Sequence, residues 1–166
     1  MGSVTKSDVR IARTGGFTLI EILVVIGIIA ILATIVIIAI NPARQFAQAR
    51  NTDRTSSVNA ILNAIGQRIA DNKGIFASTG GCPGLSTTAS IIDAGGTTAS
   101  GHIDLATNCL VPTYIPTLPI DPSGPIVPST GYTVAVDTNG RVTVCAPFAA
   151  TETAISASSS AICVTR

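Results

Sequence analysis

The sequence predicts an α+β protein: a long N-terminal α-helix packed against a small C-terminal antiparallel β-sheet head, with a long irregular loop region between them. Three observations carry this. From Ile22 to Ile40 there is no charged residue, and only Thr34 carries a polar side chain. Further on, Val58, Ile61, Leu62, Ile65 and Ile69 recur at spacings of three and four, which draws one apolar stripe on a helix. Near the end, Tyr132–Val136 and Val142–Val144 flank Asp137-Thr138-Asn139-Gly140-Arg141, a hairpin signal.

The apolar run comes first. It is long enough to cross a bilayer as a helix, which takes about 20 residues. A buried core helix would leave one polar face, and this run is apolar all round. Residence in a membrane is therefore expected. Before the run, residues 1–16 form a polar leader with Lys6, Arg10 and Arg13. A secretory signal peptide would be cut beyond its apolar region, at a small-x-small site. The basic leader instead fits an N-terminus held on the cytoplasmic side.

Glu21 is the odd residue at the edge of this span. A carboxylate there is costly unless it snorkels, pairs or is protonated, so it is a functional candidate. The plainer reading is a Glu at headgroup level, favoured by the helix dipole near the helix start.

Gly16-Phe17-Thr18-Leu19-Ile20-Glu21, following a short basic leader, resembles the processing site of type IV pilins and pseudopilins. The resemblance covers about the first third of the chain. It implies cleavage after Gly16 by a membrane prepilin peptidase and methyltransferase, with N-methylation of the new N-terminal residue Phe17. It also implies that Glu21 pairs with the N-terminal amine of a neighbouring subunit during assembly. The implied partners are further copies of the chain in a helical filament and an inner-membrane assembly platform, with the membrane itself holding the precursor before assembly. No cofactor is implied. The expected organisation is a leader at 1–16, a transmembrane and filament-core helix at 17–42, and an amphipathic helix at 43–74. An irregular region at 75–131 and an antiparallel sheet at 132–166 follow.

The span ends at Ile40-Asn41-Pro42, where proline lacks an amide donor and disfavours helix in the residue before it. A kink in one continuous element is the expected outcome; a restart with Pro42 at the first helical position is the alternative. In the second helix Arg54, Ser57, Asn63, Gln67 and Arg68 occupy faces away from the stripe, and Asn72-Lys73-Gly74 is a stop signal. Between 75 and 131, Gly and Pro pairs punctuate the chain, with short ordered pieces expected around Ser90–Asp93 and Leu110–Tyr114. Tyr114 and the Leu118-Pro119-Ile120-Asp121-Pro122 stretch resemble sequences common in pseudopilin heads.

In the hairpin, a three-residue loop Thr138-Asn139-Gly140 pairs Val136 with Val142 and Val134 with Val144, which gathers the valines on one face. A third strand, Ala161 to Thr165, turns Ile162 and Val164 inward.

Cys82, Cys109, Cys145 and Cys163 lie beyond the span, without a C-x-x-C spacing. Two disulfides in an oxidising compartment are expected, and four cysteines allow three pairings. Strand phase leans one way: Cys145 and Cys163 are both out of phase with the inward residues and share a face. That leaves Cys82 and Cys109 to close the Gly-rich segment, with a gain of about 3–4 kcal/mol in the chain-entropy account.

Charge and chemistry narrow the function. The net charge is +1, of which the leader supplies +2, leaving −1 for the remainder. Arg44, Arg50, Arg54 and Arg68 are diluted by polar neighbours, so no direct nucleic-acid site is visible. His102 is the only histidine and is expected in an exposed loop. Asp93, Asp104, Asp121 and Asp137 are scattered, without paired-carboxylate or EF-hand spacing. Neither a catalytic site nor a metal site is expected. The resemblance implies a structural subunit of a type IV pilus, exported from the inner membrane to the cell surface. A major-type pseudopilin of a secretion or DNA-uptake machine is the alternative. A single-span membrane protein whose head binds a partner without polymerising is the alternative from another class.

Overall fold

The structure is a computed structural model that describes residues 15–77, 81–96, 99–155 and 160–166. Two compact units meet between Asn41 and Pro42.

The first unit is one helix, α1, Leu19–Ile40. At a rise of 1.5 Å per residue it is about 33 Å long, close to the thickness of a bilayer's hydrocarbon core. None of its residues is buried. Its large aliphatics run from Val25, 46% exposed, to Leu19, 83% exposed. Thr34 turns its hydroxyl back onto the Ala30 carbonyl at 2.8 Å, which hides the span's one polar side chain.

The expectation of one continuous, kinked helix is corrected. Asn41 takes a left-handed conformation (φ 48°, ψ 80°) and ends α1, and a separate helix, α2, spans Pro42–Asp71. The reason is local. Asn is among the few non-glycine residues that visit this region, and Pro at the first helical position lacks only an N–H that would have no helical partner. At its other end α2 stops as Lys73 and Gly74 turn left-handed, and the Gly74 N–H donates to the Ile69 carbonyl at 2.8 Å.

The second unit is α2 laid on a five-stranded sheet. The strands are β1 Ser90–Asp93, β2 His102–Asp104, β3 Ser129–Val136, β4 Val142–Ala146 and β5 Ile162–Thr165, in the order β2-β1-β3-β4-β5. All pairings are antiparallel except β1 with β2. The hairpin register is Val136 opposite Val142 and Val134 opposite Val144, with Gly140 left-handed in the loop. Val58, Ile61, Leu62 and Ile65 of α2 are buried against Ile92, Ile103, Val134, Val142 and Val144. Each such side chain contributes about 1.5–3 kcal/mol, which fixes which face of the helix meets the sheet.

Two further expectations are corrected. The ordered piece expected at Ser90–Asp93 is β1, but the region 75–131 also supplies β2, and β3 begins at Ser129 rather than Tyr132. His102 lies on β2 instead of in an exposed loop, with Nδ1 2.9 Å from the buried carboxylate of Asp93. A three-residue strand bounded by glycine carries too little periodicity to be read; its partner β1 creates it.

Candidate assembly site

Thr18 caps α1. Its hydroxyl accepts from the Glu21 N–H at 3.2 Å, and the Glu21 carboxylate accepts from the Thr18 N–H at 3.4 Å. This reciprocal pair is a capping box, which satisfies two of the four N–H groups that every helix start leaves without a helical partner. In the isolated chain Glu21 is therefore occupied by its own helix. Phe17, 79% exposed, stands just before the cap, and Gly16 precedes it without regular structure. A Cβ on Gly16 would meet no atom within 4 Å. Among the described residues, nothing packs where a side chain at Gly16 would stand. The leader up to residue 14 lies outside the described residues.

Residues 11–37 match the family model of the prokaryotic N-terminal methylation motif. The chain carries the type IV pilin and pseudopilin leader signature. Among curated proteins and solved structures, nothing matches the chain. Proteins with this signature are structural rather than catalytic. Together with the apolar α1, it fits a membrane-anchored precursor.

The head of this pilin-like chain holds a second arrangement that sequence reasoning missed. Arg54 of α2 is fully buried, although it lies on a face away from the apolar stripe. It holds Asp121 with two hydrogen bonds, Nε to Oδ2 at 2.7 Å and Nη2 to Oδ1 at 3.0 Å. Its Nη1 donates to Glu152 Oε1 at 2.7 Å and to Asn51 Oδ1 at 2.8 Å. Arg50, one turn earlier, holds the same Glu152 from the solvent side, Nε to Oε1 at 2.7 Å. Two guanidinium groups thus face two carboxylates across three chain segments. Arg50's hydrogen bonds, then those of Arg54, outweigh burial and lower the Glu152 carboxyl to about 2. Burial alone would raise Asp121, but Arg54 and the Ser123 N–H together hold it below its ordinary value. A signal was present: Arg50 and Arg54 stand four apart on one helix, and Asp121 sits in the Leu-Pro-x-Asp-Pro stretch. What the sequence lacked was any means of bringing Glu152 to them.

Arg68 is buried by another route. Its Nε donates to the Phe76 carbonyl at 3.0 Å and Nη1 to the Cys109 carbonyl at 2.8 Å, with the Phe76 ring 5.7 Å away. Disulfides join Cys82 to Cys109 and Cys145 to Cys163. The first lies in the core; the second bridges β4 and β5, where the two residues stand opposite each other on the outer face. Among the described residues, no three His, Cys, Asp or Glu side chains gather as a metal site.

Proposed function

We propose that the protein is a structural pilin that polymerises through its N-terminal helix into a type IV pilus on the cell surface. One observation carries the reading: the leader signature runs directly into a helix whose every residue is exposed in the isolated chain. So much apolar surface needs either lipid or other helices around it. The membrane serves before assembly, and copies of α1 serve afterwards. The prepilin peptidase cuts after Gly16 and methylates Phe17. The assembly platform then draws the subunit out of the bilayer.

Glu21 supplies the pairing. In a low-dielectric bundle a carboxylate and an ammonium attract strongly, and each is costly when left alone. The capping box holds the carboxylate on its own Thr18 N–H, so pairing with a neighbouring subunit's amine replaces that bond. The protein is not an enzyme in this reading, and it takes no cofactor. The pseudopilin reading draws its support from Leu118-Pro119-Ile120-Asp121-Pro122, whose aspartate anchors the head to α2.

The test is Glu21→Ala in the full chain. The variant should enter the membrane with a folded head, yet assemble at least tenfold less filament by electron microscopy of sheared cells. Normal filament yield would remove Glu21 from assembly; no filament from the unmodified chain would remove the pilus reading itself.

A further inference from the structure

A cavity of about 490 Å3 in the head shares no residue with the arginine cluster or the helix start. Part of its wall is made by the neighbours of the buried disulfide: Gly81 and Pro83 flank Cys82, and Asn108 precedes Cys109. The Cys82–Cys109 bond therefore ties these two stretches of wall together. Strand β2 supplies the chemistry, because His102 and Asp104 both line the cavity. They flank the buried Ile103, so they share the strand face turned away from the core, about 6.6 Å apart along the strand.

His102 is held from behind. Its Nδ1 lies 2.9 Å from Oδ1 of Asp93, whose side chain has no exposure. A carboxylate only accepts, so Nδ1 carries the hydrogen of the neutral ring and Nε2 keeps its lone pair. Among the described residues Nε2 has no hydrogen-bond partner, and 21% of the side chain stays open. Asp104 is placed by the turn that follows it. Its Oδ1 accepts from the Ala106 and Thr107 N–H groups at 2.8 and 3.1 Å, which leaves Oδ2 without a partner among the described residues.

Charge selects the guest. Among the described residues that line the cavity there is no lysine or arginine. Behind it, Oδ2 of Asp93 is buried without a hydrogen bond. A buried carboxylate so poorly satisfied is costly, and a cation on the far side of the ring offsets its charge. An imidazole nitrogen and a carboxylate oxygen together suit a divalent transition metal such as Zn2+, whereas Mg2+ and Ca2+ favour oxygen donors. A carboxylate behind the imidazole is also the arrangement that orients metal-bound histidines and raises their basicity.

We infer that His102 Nε2 and Asp104 Oδ2 bind a divalent transition-metal ion, with Asp93 as the positioning residue behind the histidine. Two protein donors make an open, exchangeable site in which water fills the remaining positions, unlike the closed four-ligand sites that hold a fold together. The site needs no filament, so it stands apart from the pilin reading.

Titration of the full, untagged chain with Zn2+ in detergent micelles tests it. The chain has one histidine and its four cysteines are paired, so neither a second imidazole nor a thiolate competes. Zn2+ should bind one to one, raise the melting temperature of the head and shift the NMR signals of the imidazole. Mg2+ and Ca2+ at the same concentration should do none of these. Asp104→Asn keeps an oxygen for the Ala106 and Thr107 N–H groups, so its metal-free melt should be unchanged while Zn2+ binds about tenfold more weakly or worse. Asp93→Asn leaves both ligands in place and should weaken Zn2+ binding by about tenfold as well. Imidazole signals that Zn2+ leaves unmoved overturn the site, as does full-strength binding by Asp104→Asn or equal binding of Ca2+. Full-strength binding by Asp93→Asn overturns the positioning role.

Discussion

Arg54 and Asp121, 67 residues apart, meet as a two-bonded pair with no solvent exposure on either side chain. Glu152 closes the same cluster from a third segment. Breaking a buried pair leaves an uncompensated charge, whose cost exceeds the net worth of the pair. Arg54→Met should therefore destabilise the head by about 3–5 kcal/mol, read by denaturant unfolding. The triple change Arg54→Met, Asp121→Leu, Glu152→Gln should recover most of that loss. A single variant within about 0.5 kcal/mol of the parent would show that the cluster carries no stability.

Acid should loosen the same region. Glu152 is held at about 2, against an ordinary 4.5. A lowered carboxyl contributes stability that is full above 4.5 and is lost as pH falls towards about 2. Asp121 is lowered as well and acts in the same direction. The melting temperature should be level from about pH 7 to about pH 5 and then fall. Asp137, lowered by the Arg141 N–H and side chain, adds its own slope, so the comparison must be between variants. Glu152→Gln should shallow the fall; an unaltered acid slope would acquit Glu152.

Two glycines should respond in opposite directions to alanine. Gly131 has φ +83°, and a Cβ there would lie 2.8 Å from the Cβ of Asp121. Gly131→Ala should cost about 2–4 kcal/mol, from left-handed strain and overpacking beside the buried carboxylate. Gly66→Ala, in open helix, should stabilise the head by about 0.5–1 kcal/mol. Thermal melts of both variants check this. A Gly131→Ala head as stable as its parent would contradict the crowding.

Processing should follow the signature. Intact mass of filament protein should correspond to a chain that starts at a methylated Phe17. Gly16→Val should leave the leader attached, since a branched side chain in place of glycine crowds the peptide bond to be cut. A mature protein that retains Met1 would end the pilin reading.

The fold was legible wherever one face of an element is buried. The α2 stripe, the Val134–Val144 register and the inward Ile162 and Val164 were all written in periodicity, because burial on one side leaves a period. β2 was not legible, since three residues hold too little pattern and its pairing with β1 comes from tertiary context. The break at Asn41 was visible as a signal, but kink and restart share the same residues. Arg54 was misread for a deeper reason. Propensity and periodicity price a lone arginine as a surface residue; only carboxylates delivered from distant segments allow it inside. Glu152, in Ala-Thr-Glu-Thr-Ala, carries no local mark of that role.

The arginine cluster also sets an order of events. α2 is made first, Asp121 arrives 67 residues after Arg54, and Glu152 arrives 98 residues after it. Until both have emerged, the Arg54 guanidinium must remain in water, and the α2 face around it cannot close. A nascent head halted between Asp121 and Glu152 holds a half-neutralised cation and an open seam. A buried guanidinium left half-neutralised is costly, so this face of α2 seals only after the segment bearing Glu152 has been delivered.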